Sequence, residues 1–152
     1  MFTFEASTLL NAPPERVYEF HENPENIRRI APQSLKVISV ECEKKAVAGA
    51  RFRIEVSQWG IGLKWVGVWD QVARPSLLVD TAEKCPFSFW KHSHIFEPCE
   101  AGCLMTDRVE CRLKGGALSR LAERLILPVF FSAMFRARHS ATRKLFAETT
   151  PG

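Results

Sequence analysis

The sequence predicts an α+β fold in which a bent antiparallel sheet of about seven strands wraps around a long C-terminal helix. Apolar and polar residues alternate once near the N-terminus and in six further segments between residues 35 and 113, a pattern typical of half-buried strands. Two short helical segments separate the first strand from the second. The stretch from Ala117 to Glu148 contains no glycine and is rich in Ala, Leu and Arg, which favours a helix.

The N-terminal part of the chain predicts one strand and the two short helices. Alternation from Phe2 to Leu10 predicts the strand. Pro14 then suits the first turn of a helix, and Glu15 suits it too because a negative charge stabilises a helix N-terminus. Asn23-Pro24 ends this helix, and the second short helix is expected from Pro24 to Ile30.

The middle of the chain predicts six consecutive strands. The clearest alternation lies in residues 51–58, where Phe52, Ile54 and Val56 share one face. Glycine and proline residues between the segments predict the turns, and a longer loop is expected at Glu97–Gly102. The predicted strands are 35–43, 51–58, 63–72, 77–84, 87–96 and 104–113.

The C-terminal helix carries two apolar stripes. Because residues 125–135 are apolar nearly all round, we expect this part of the helix to bury more than one side. Pro128 lacks a backbone N–H and predicts a kink or a break. The uncharged run is too short to span a bilayer, which needs about 20 apolar residues. One stripe contains Ile126, Phe130, Ala133, Met134, Ala137, Ala141 and Leu145, and the second contains Leu127, Phe131 and Phe135.

Length and charge bound the organisation of the chain. We expect one domain over residues 1–148 and a loose tail at 149–152. The net charge of +4 arises within 117–148, where six basic residues face two acidic ones. Such a local excess argues against nucleic-acid binding, which uses a broader basic face. It leaves contact of the helix with a membrane surface as an alternative to a core helix with a solvated basic end.

The sequence lacks the patterns of several classes of site and signal. Five cysteines without a CxxC pair argue against a disulfide framework and against structural zinc, so reduced thiols are expected. The N-terminus has no signal-peptide pattern, which together with the thiols predicts a cytoplasmic location. We find no P-loop, nucleophile elbow or dinucleotide-binding glycine pattern, and we expect no cofactor.

Two adjacent strands bring titratable side chains to the inner face of the predicted sheet. On the strand 104–113 the apolar face must point inward, and it carries Asp107 with it. We therefore expect Asp107 to lie close to His92 or His94. Because side chains alternate along a strand, one face of 87–96 carries Trp90, His92, His94 and Phe96.

The sequence leaves three interpretations of this Asp–His group open. It is a structural hydrogen bond inside the sheet, a set of polar contacts that orients an apolar ligand, or a general acid–base pair in which Asp107 raises the imidazole pKa. The spacing of His92 and His94 would also suit a metal ion. No third ligand is evident from the sequence, so no metal is expected.

The order of elements and three motifs resemble the START-like, or SRPBCC, superfamily, whose helix-grip fold is shared by polyketide cyclases and coenzyme Q-binding START proteins. A bacterial branch of ligand-binding or polyketide cyclase/dehydrase-like proteins is similar over essentially the whole chain. The resemblance implies a pocket for a lipid, quinone or polyketide-like molecule, and in some members cyclisation or dehydration. The motifs are Phe87-x-x-Trp90-x-His92-x-His94-x-Phe96-Glu97-Pro98, Thr106-Asp107-Arg108-Val109-Glu110 and Phe135-x-x-Arg138-His139.

We therefore expect a carrier or sensor that binds a small hydrophobic molecule between the sheet and the C-terminal helix. The first alternative is a cyclase or dehydratase that uses His92, His94 or Asp107 in catalysis. The second is an interaction module or homodimer in which Phe131 and Phe135 contact a partner. The expected lining of the cavity is Phe52, Ile54, Val56, Trp65, Trp90, His92, His94, Phe96, Asp107, Val109, Phe130 and Met134.

Overall fold

The computed structural model describes residues 1–148, so the tail expected at 149–152 lies outside the described residues. Its strands are β1 (Phe2–Leu10), β2 (Leu35–Glu41), β3 (Arg51–Gln58), β4 (Ile61–Ala73), β5 (Leu77–Lys84), β6 (Phe87–Cys99) and β7 (Gly102–Leu113). Its helices are α1 (Pro14–His21), α2 (Ile27–Ile30), which a 3-10 turn at Pro24–Asn26 precedes, α3 (Ala117–Leu125) and α4 (Leu127–Glu148). The strands form one antiparallel sheet in the order β1-β7-β6-β5-β4-β3-β2.

The predicted order and type of elements are confirmed, and the differences lie at strand ends. The loop expected at Glu97–Gly102 is wrong, because β6 and β7 pair as far as Cys99 and Gly102. A two-residue turn continues the hairpin ladder further than a six-residue loop would, and it keeps more backbone groups paired. In the same way β4 begins at Ile61, directly after a turn at Trp59 and Gly60 that has positive φ at both residues.

The C-terminal helix is broken where Pro128 predicts a break. The first segment ends at Leu125, Ile126 is its C-cap, and α4 begins at Leu127. Proline has no N–H to donate to the carbonyl four residues earlier, so the ladder of helical hydrogen bonds is interrupted there. Among residues 1–148 no helix is long and apolar enough to cross a bilayer.

The burial of this region differs from expectation. Leu125, Ile126 and Val129 are 65%, 61% and 71% exposed, so the expected burial of more than one side fails at these three residues. Phe130 and Met134, on the second side, are partly buried against the core. By contrast, Phe131 and Phe135 are each 1% exposed inside the fold, so they are not available to a partner as the interaction-module alternative required. The fully buried stripe of the helix consists of Leu127, Phe131, Phe135, His139, Thr142 and Phe146.

The long helix covers one end of the curved sheet rather than its centre. The ring of Phe4 in β1 lies 5.7 Å from that of Phe131 and 5.4 Å from that of Phe135, between ring centroids. The helix α1 covers another part of the inner face, where Tyr18 packs against Phe96 of β6 at 5.7 Å. The inner face over β3 to β6 is therefore only partly filled by side chains.

Gly102 marks a close approach between the β6–β7 hairpin and the chain that follows β1. It has φ +125°, and a Cβ at this position would lie 2.6 Å from the carbonyl oxygen of Leu10 and 2.8 Å from backbone atoms of Ala12. We expect Gly102→Ala to lower the free energy of unfolding by about 3 kcal/mol, from backbone strain and overpacking together. Chemical denaturation would measure the change.

The control is Gly60→Ala, which separates strain from overpacking. Gly60 also has a positive φ, +81°, but a Cβ there meets nothing within 4 Å. Its expected cost is therefore strain alone, about 1 kcal/mol. Equal costs for the two variants would contradict the close approach at Gly102.

Candidate functional site

A cavity of about 310 Å³ lies on the inner face of the sheet, beside the long helix. Strands β2 to β6, the segment from α1 through Leu35, and α4 supply its wall, whereas β1 and β7 supply none of the described lining residues. This follows from the packing of α4 on the β1 end, which leaves the space over the neighbouring strands open. The wall is mostly apolar and aromatic, a composition that suits small hydrophobic ligands.

Most of the residues predicted to line a cavity lie in this wall, and three do not. Phe96 is covered by Tyr18 of α1. Asp107 and Val109 lie on β7, where α4 covers them: Asp107 contacts His139, and Val109 belongs to the same buried cluster as Phe131 and Phe135. The nine predicted residues in the wall are Phe52, Ile54, Val56, Trp65, Trp90, His92, His94, Phe130 and Met134. Unpredicted members of the wall include Phe20, His21, Ile27, Ile30, Leu35, Asp80 and Arg138.

Strand register brings four polar side chains together on the inner face. Asp80 of β5 pairs directly with His92 of β6, and His94 of β6 pairs directly with Asp107 of β7. Directly paired residues in an antiparallel sheet point to the same face, so two carboxylates flank two imidazoles. All four side chains are buried, with exposed fractions between 1% and 6%.

Asp107 is the centre of the deeper half of this group. Its Oδ1 atom accepts a hydrogen bond from His92 Nε2 at 3.0 Å and lies 2.7 Å from His94 Nδ1. Its Oδ2 atom accepts a hydrogen bond from His139 Nε2 of α4 at 2.6 Å. One carboxylate, 1% exposed, therefore joins the sheet to the long helix through three histidines.

The electrostatics of this group follow from burial and these contacts. Burial raises the pKa of Asp107, but the charge of His94 and the hydrogen bonds from His139 and His92 outweigh burial and hold the pKa well below its ordinary value. Burial lowers the pKa of His92 and His94, although the Asp107 carboxylate opposes the shift. Near neutral pH Asp107 is therefore anionic, and the lowered pKa values of His92 and His94 keep these two rings neutral.

The second carboxylate, Asp80, lies on the cavity side of the same histidines. Its Oδ2 atom is 3.7 Å from His92 Nδ1 and 4.0 Å from His94 Nε2. Burial raises the pKa of Asp80 to about 6, and the charge of His94 opposes this rise. Each imidazole therefore has one nitrogen toward Asp107 and the other toward Asp80.

Two further titratable residues lie in the wall. His21 donates from Nδ1 to the carbonyl of Val17 at 2.7 Å, and its ring lies 5.4 Å from that of His94. Burial and the charge of His94 lower the pKa of His21 to about 3. Arg138 of α4 has a buried Nε atom without a hydrogen-bond partner among residues 1–148. A ligand oxygen can accept a hydrogen bond from an unpaired buried donor of this kind.

Comparison with known proteins shows which family has this architecture. The profile of the family described as polyketide cyclase / dehydrase and lipid transport matches residues 10–139. The chain belongs to this family. The resemblance to the SRPBCC superfamily and its helix-grip fold is thereby confirmed. A comparison with curated proteins finds no match.

Solved structures share the fold of this SRPBCC protein at low sequence identity. The di-domain ARO/CYC StfQ from the steffimycin biosynthetic pathway superposes with a TM-score of 0.79 at 15% identity, covering 97% of this chain and 51% of that one. A Rhodobacter sphaeroides protein gives 0.77 at 13%, with 99% and 95% covered. A Chromobacterium violaceum protein gives 0.74 at 17%, with 96% and 98% covered.

Two residues of the buried polar group were not predicted as site residues of this SRPBCC protein. His139 lies four residues after Phe135, so extending the second apolar stripe by one turn would have found it. Asp80 lies on the strand β5, and its face depends on the register with β6. A slip of one residue would turn Asp80 away from the cavity, and alternation along β5 alone does not determine that register.

Proposed function

We propose that this protein binds a small hydrophobic molecule, such as a lipid, a quinone or a polyketide-like compound, in the cavity beside α4. The observation that carries the proposal is a space of about 310 Å³ with a mostly apolar wall and a few polar side chains. That combination supplies affinity from apolar burial and orientation from a few polar contacts. The family to which the chain belongs includes lipid transport, which supports a role as carrier or sensor.

The wall also indicates where a polar end of the ligand would lie. Apolar burial contributes about 25 cal/mol per Å² of ligand surface, so the aromatic wall can hold a flat or extended hydrocarbon part. Arg138 Nε has no protein partner among the described residues and lies in the wall together with His21 and His94. A carboxylate, carbonyl or enolate oxygen at one end of the ligand would satisfy that donor.

Filling the cavity is expected to abolish binding. We would purify the protein, denature it and analyse the organic extract by mass spectrometry, then titrate the stripped and refolded protein with 1-anilinonaphthalene-8-sulfonate. The double variant Ile54→Trp/Met134→Trp places two larger rings in the wall. We expect at least about 10-fold weaker probe binding, because the ligand's apolar surface stays in water. Circular dichroism would confirm that the variant is folded.

The matched control is Ile38→Trp, the same kind of change on β2 at a side chain that is 48% exposed and outside the cavity wall. It should leave probe affinity unchanged. Equal affinity of the filled variant and the wild type, with an extract free of hydrophobic compounds, would refute binding in this cavity.

A second candidate is an enzyme of cyclase or dehydratase type. It is favoured by the two imidazoles and the carboxylate of Asp80 in the cavity wall, where a bound molecule would meet groups able to move protons. The fold neighbour StfQ is a di-domain ARO/CYC protein, which supports a test with polyketide-like compounds. Recovery of such a compound in converted form after incubation would favour the enzyme, and recovery unchanged would favour the carrier.

A further inference from the structure

We propose that Asp80, His92 and His94 bind one divalent transition-metal ion in the wall of the cavity. The candidate ligand atoms are Oδ2 of Asp80, Nδ1 of His92 and Nε2 of His94. One ligand atom from each of the three residues lies within 4.8 Å of the other two, and all three side chains are buried. With metal–ligand distances of about 2.0–2.2 Å, adjacent ligand atoms are about 3.0–3.5 Å apart, so side-chain shifts of less than about 1 Å complete the site.

The contacts behind the site prepare both imidazoles to act as ligands. A nitrogen 2.7–3.0 Å from a carboxylate oxygen must carry the proton, because two lone pairs at that distance repel each other. Asp107 therefore holds the proton on Nε2 of His92 through a hydrogen bond. Its close approach to Nδ1 of His94 favours the proton on that nitrogen as well, although this contact does not have hydrogen-bond geometry. The remaining nitrogen of each ring has its lone pair on the side of Asp80. This is the carboxylate–histidine arrangement that orients imidazole ligands around metal ions.

Asp107 is itself kept in place from the other side by His139 Nε2 at 2.6 Å. Its remaining oxygen is thus not available to compete for the metal ion, and both imidazoles are aligned by a carboxylate that α4 anchors. A chain of contacts therefore runs from His139 on the helix to Asp107 and then to His92 and His94, which face the cavity. Such a supporting shell is what distinguishes a built site from a chance group of polar side chains.

Charge and ligand type indicate the ion. The wall holds the carboxylate of Asp80 and the guanidinium of Arg138, with the Asp107 carboxylate behind them, so a dication leaves one net positive charge when the imidazoles are neutral. Two nitrogens and one carboxylate oxygen suit Zn²⁺ or Fe²⁺ better than Mg²⁺ or Ca²⁺, which prefer oxygen ligands. Three protein ligands leave coordination positions open toward the cavity, where an oxygen of a bound molecule could coordinate.

Titration of the chelator-treated, dialysed protein with Co²⁺ alone tests this site independently of any cavity ligand. We expect one ion per chain and an absorption spectrum without the near-ultraviolet thiolate charge-transfer band that binding to any of the five free cysteines would produce. Asp80→Asn should weaken binding by at least about 10-fold, because it removes the anionic ligand but keeps the shape. The matched control is Asp70→Asn, at an exposed position of β4, and its affinity should equal that of the wild type.

A measurement on the wild type keeps the test independent of whether the variant folds. Proton NMR of the Co²⁺ form should show two exchangeable, strongly shifted imidazole N–H resonances, from His92 Nε2 and His94 Nδ1, which Asp107 protects from solvent. No binding at about 1 mM Co²⁺, or a bound form without these two resonances, would overturn the site. A folded Asp80→Asn variant with unchanged affinity would do the same. None of these results bears on binding of the fluorescent probe in the cavity, so the proposed carrier function is tested separately from the metal site.

Discussion

Replacing Asp107 by alanine should lower the free energy of unfolding by about 3–5 kcal/mol in metal-free protein, because several buried imidazole N–H groups lose their acceptor. The substitution leaves His92, His94 and His139 without the carboxylate that each now contacts at 2.6–3.0 Å. These groups are 4–5% exposed, so water cannot replace the lost acceptor without opening the fold. Chemical denaturation at neutral pH in the presence of a chelator would measure the loss.

Two further variants separate the hydrogen-bond loss from the change of residue type. Asp107→Asn keeps the shape and one acceptor oxygen, so its cost should lie between those of the wild type and Asp107→Ala. Asp70→Ala changes an exposed aspartate of the same sheet and should stay within about 0.5 kcal/mol of the wild type. A cost below about 1 kcal/mol for Asp107→Ala would show that this carboxylate does not join the helix to the sheet.

Phe131→Ala should also cost about 3–5 kcal/mol of unfolding free energy. Phe131 is 1% exposed, and its ring lies 5.7 Å from the rings of Phe2 and Phe4 and 6.0 Å from that of Trp90. It also forms part of the cavity wall, so the space left by the ring joins a void that already exists. Neighbouring side chains relax only partly into such a space, so the cost lies in the range for large-to-small substitutions of a buried aromatic residue.

The control for this substitution is Val129→Ala, two residues earlier on the same helix. Val129 is 71% exposed, and alanine is the better helix former, so stability should change by no more than about 0.5 kcal/mol. Denaturant titration of both variants gives the comparison. Similar costs at the two positions would mean that α4 does not pack on β1 with the stripe that contains Phe131.

The inner face of the hairpin β6–β7 shows how much of the site could be predicted from the sequence. Alternation predicted that the face of β6 with Trp90, His92 and His94 points inward, and these side chains are 5–8% exposed. The apolar face of β7 likewise placed Asp107 near the histidines. Both predictions rest on the strict two-residue period of a strand, which holds wherever one face is buried.

The helix shows where such patterns are insufficient. It carries two apolar stripes, and the sequence favoured burial of both. The structure buries the stripe with Phe131 and Phe135, uses Phe130 and Met134 of the other for the cavity wall, and leaves Ile126 exposed. Which stripe meets the sheet depends on where α4 crosses it, and that position is a property of the packed layers rather than of the helix.

The sequence by itself determined the order of the elements, the faces of the strands and the break before Pro128, because each of these follows from local periodicity or from the chemistry of one residue. Only the tertiary structure decided which residues form the cavity and that Asp80, rather than Asp107, is the carboxylate in its wall. The register of β5 on β6 and the placement of α4 over the β1 end bring together residues from distant segments. Contacts between distant segments leave no periodic signal in any one of them, and so they became visible only in the folded chain.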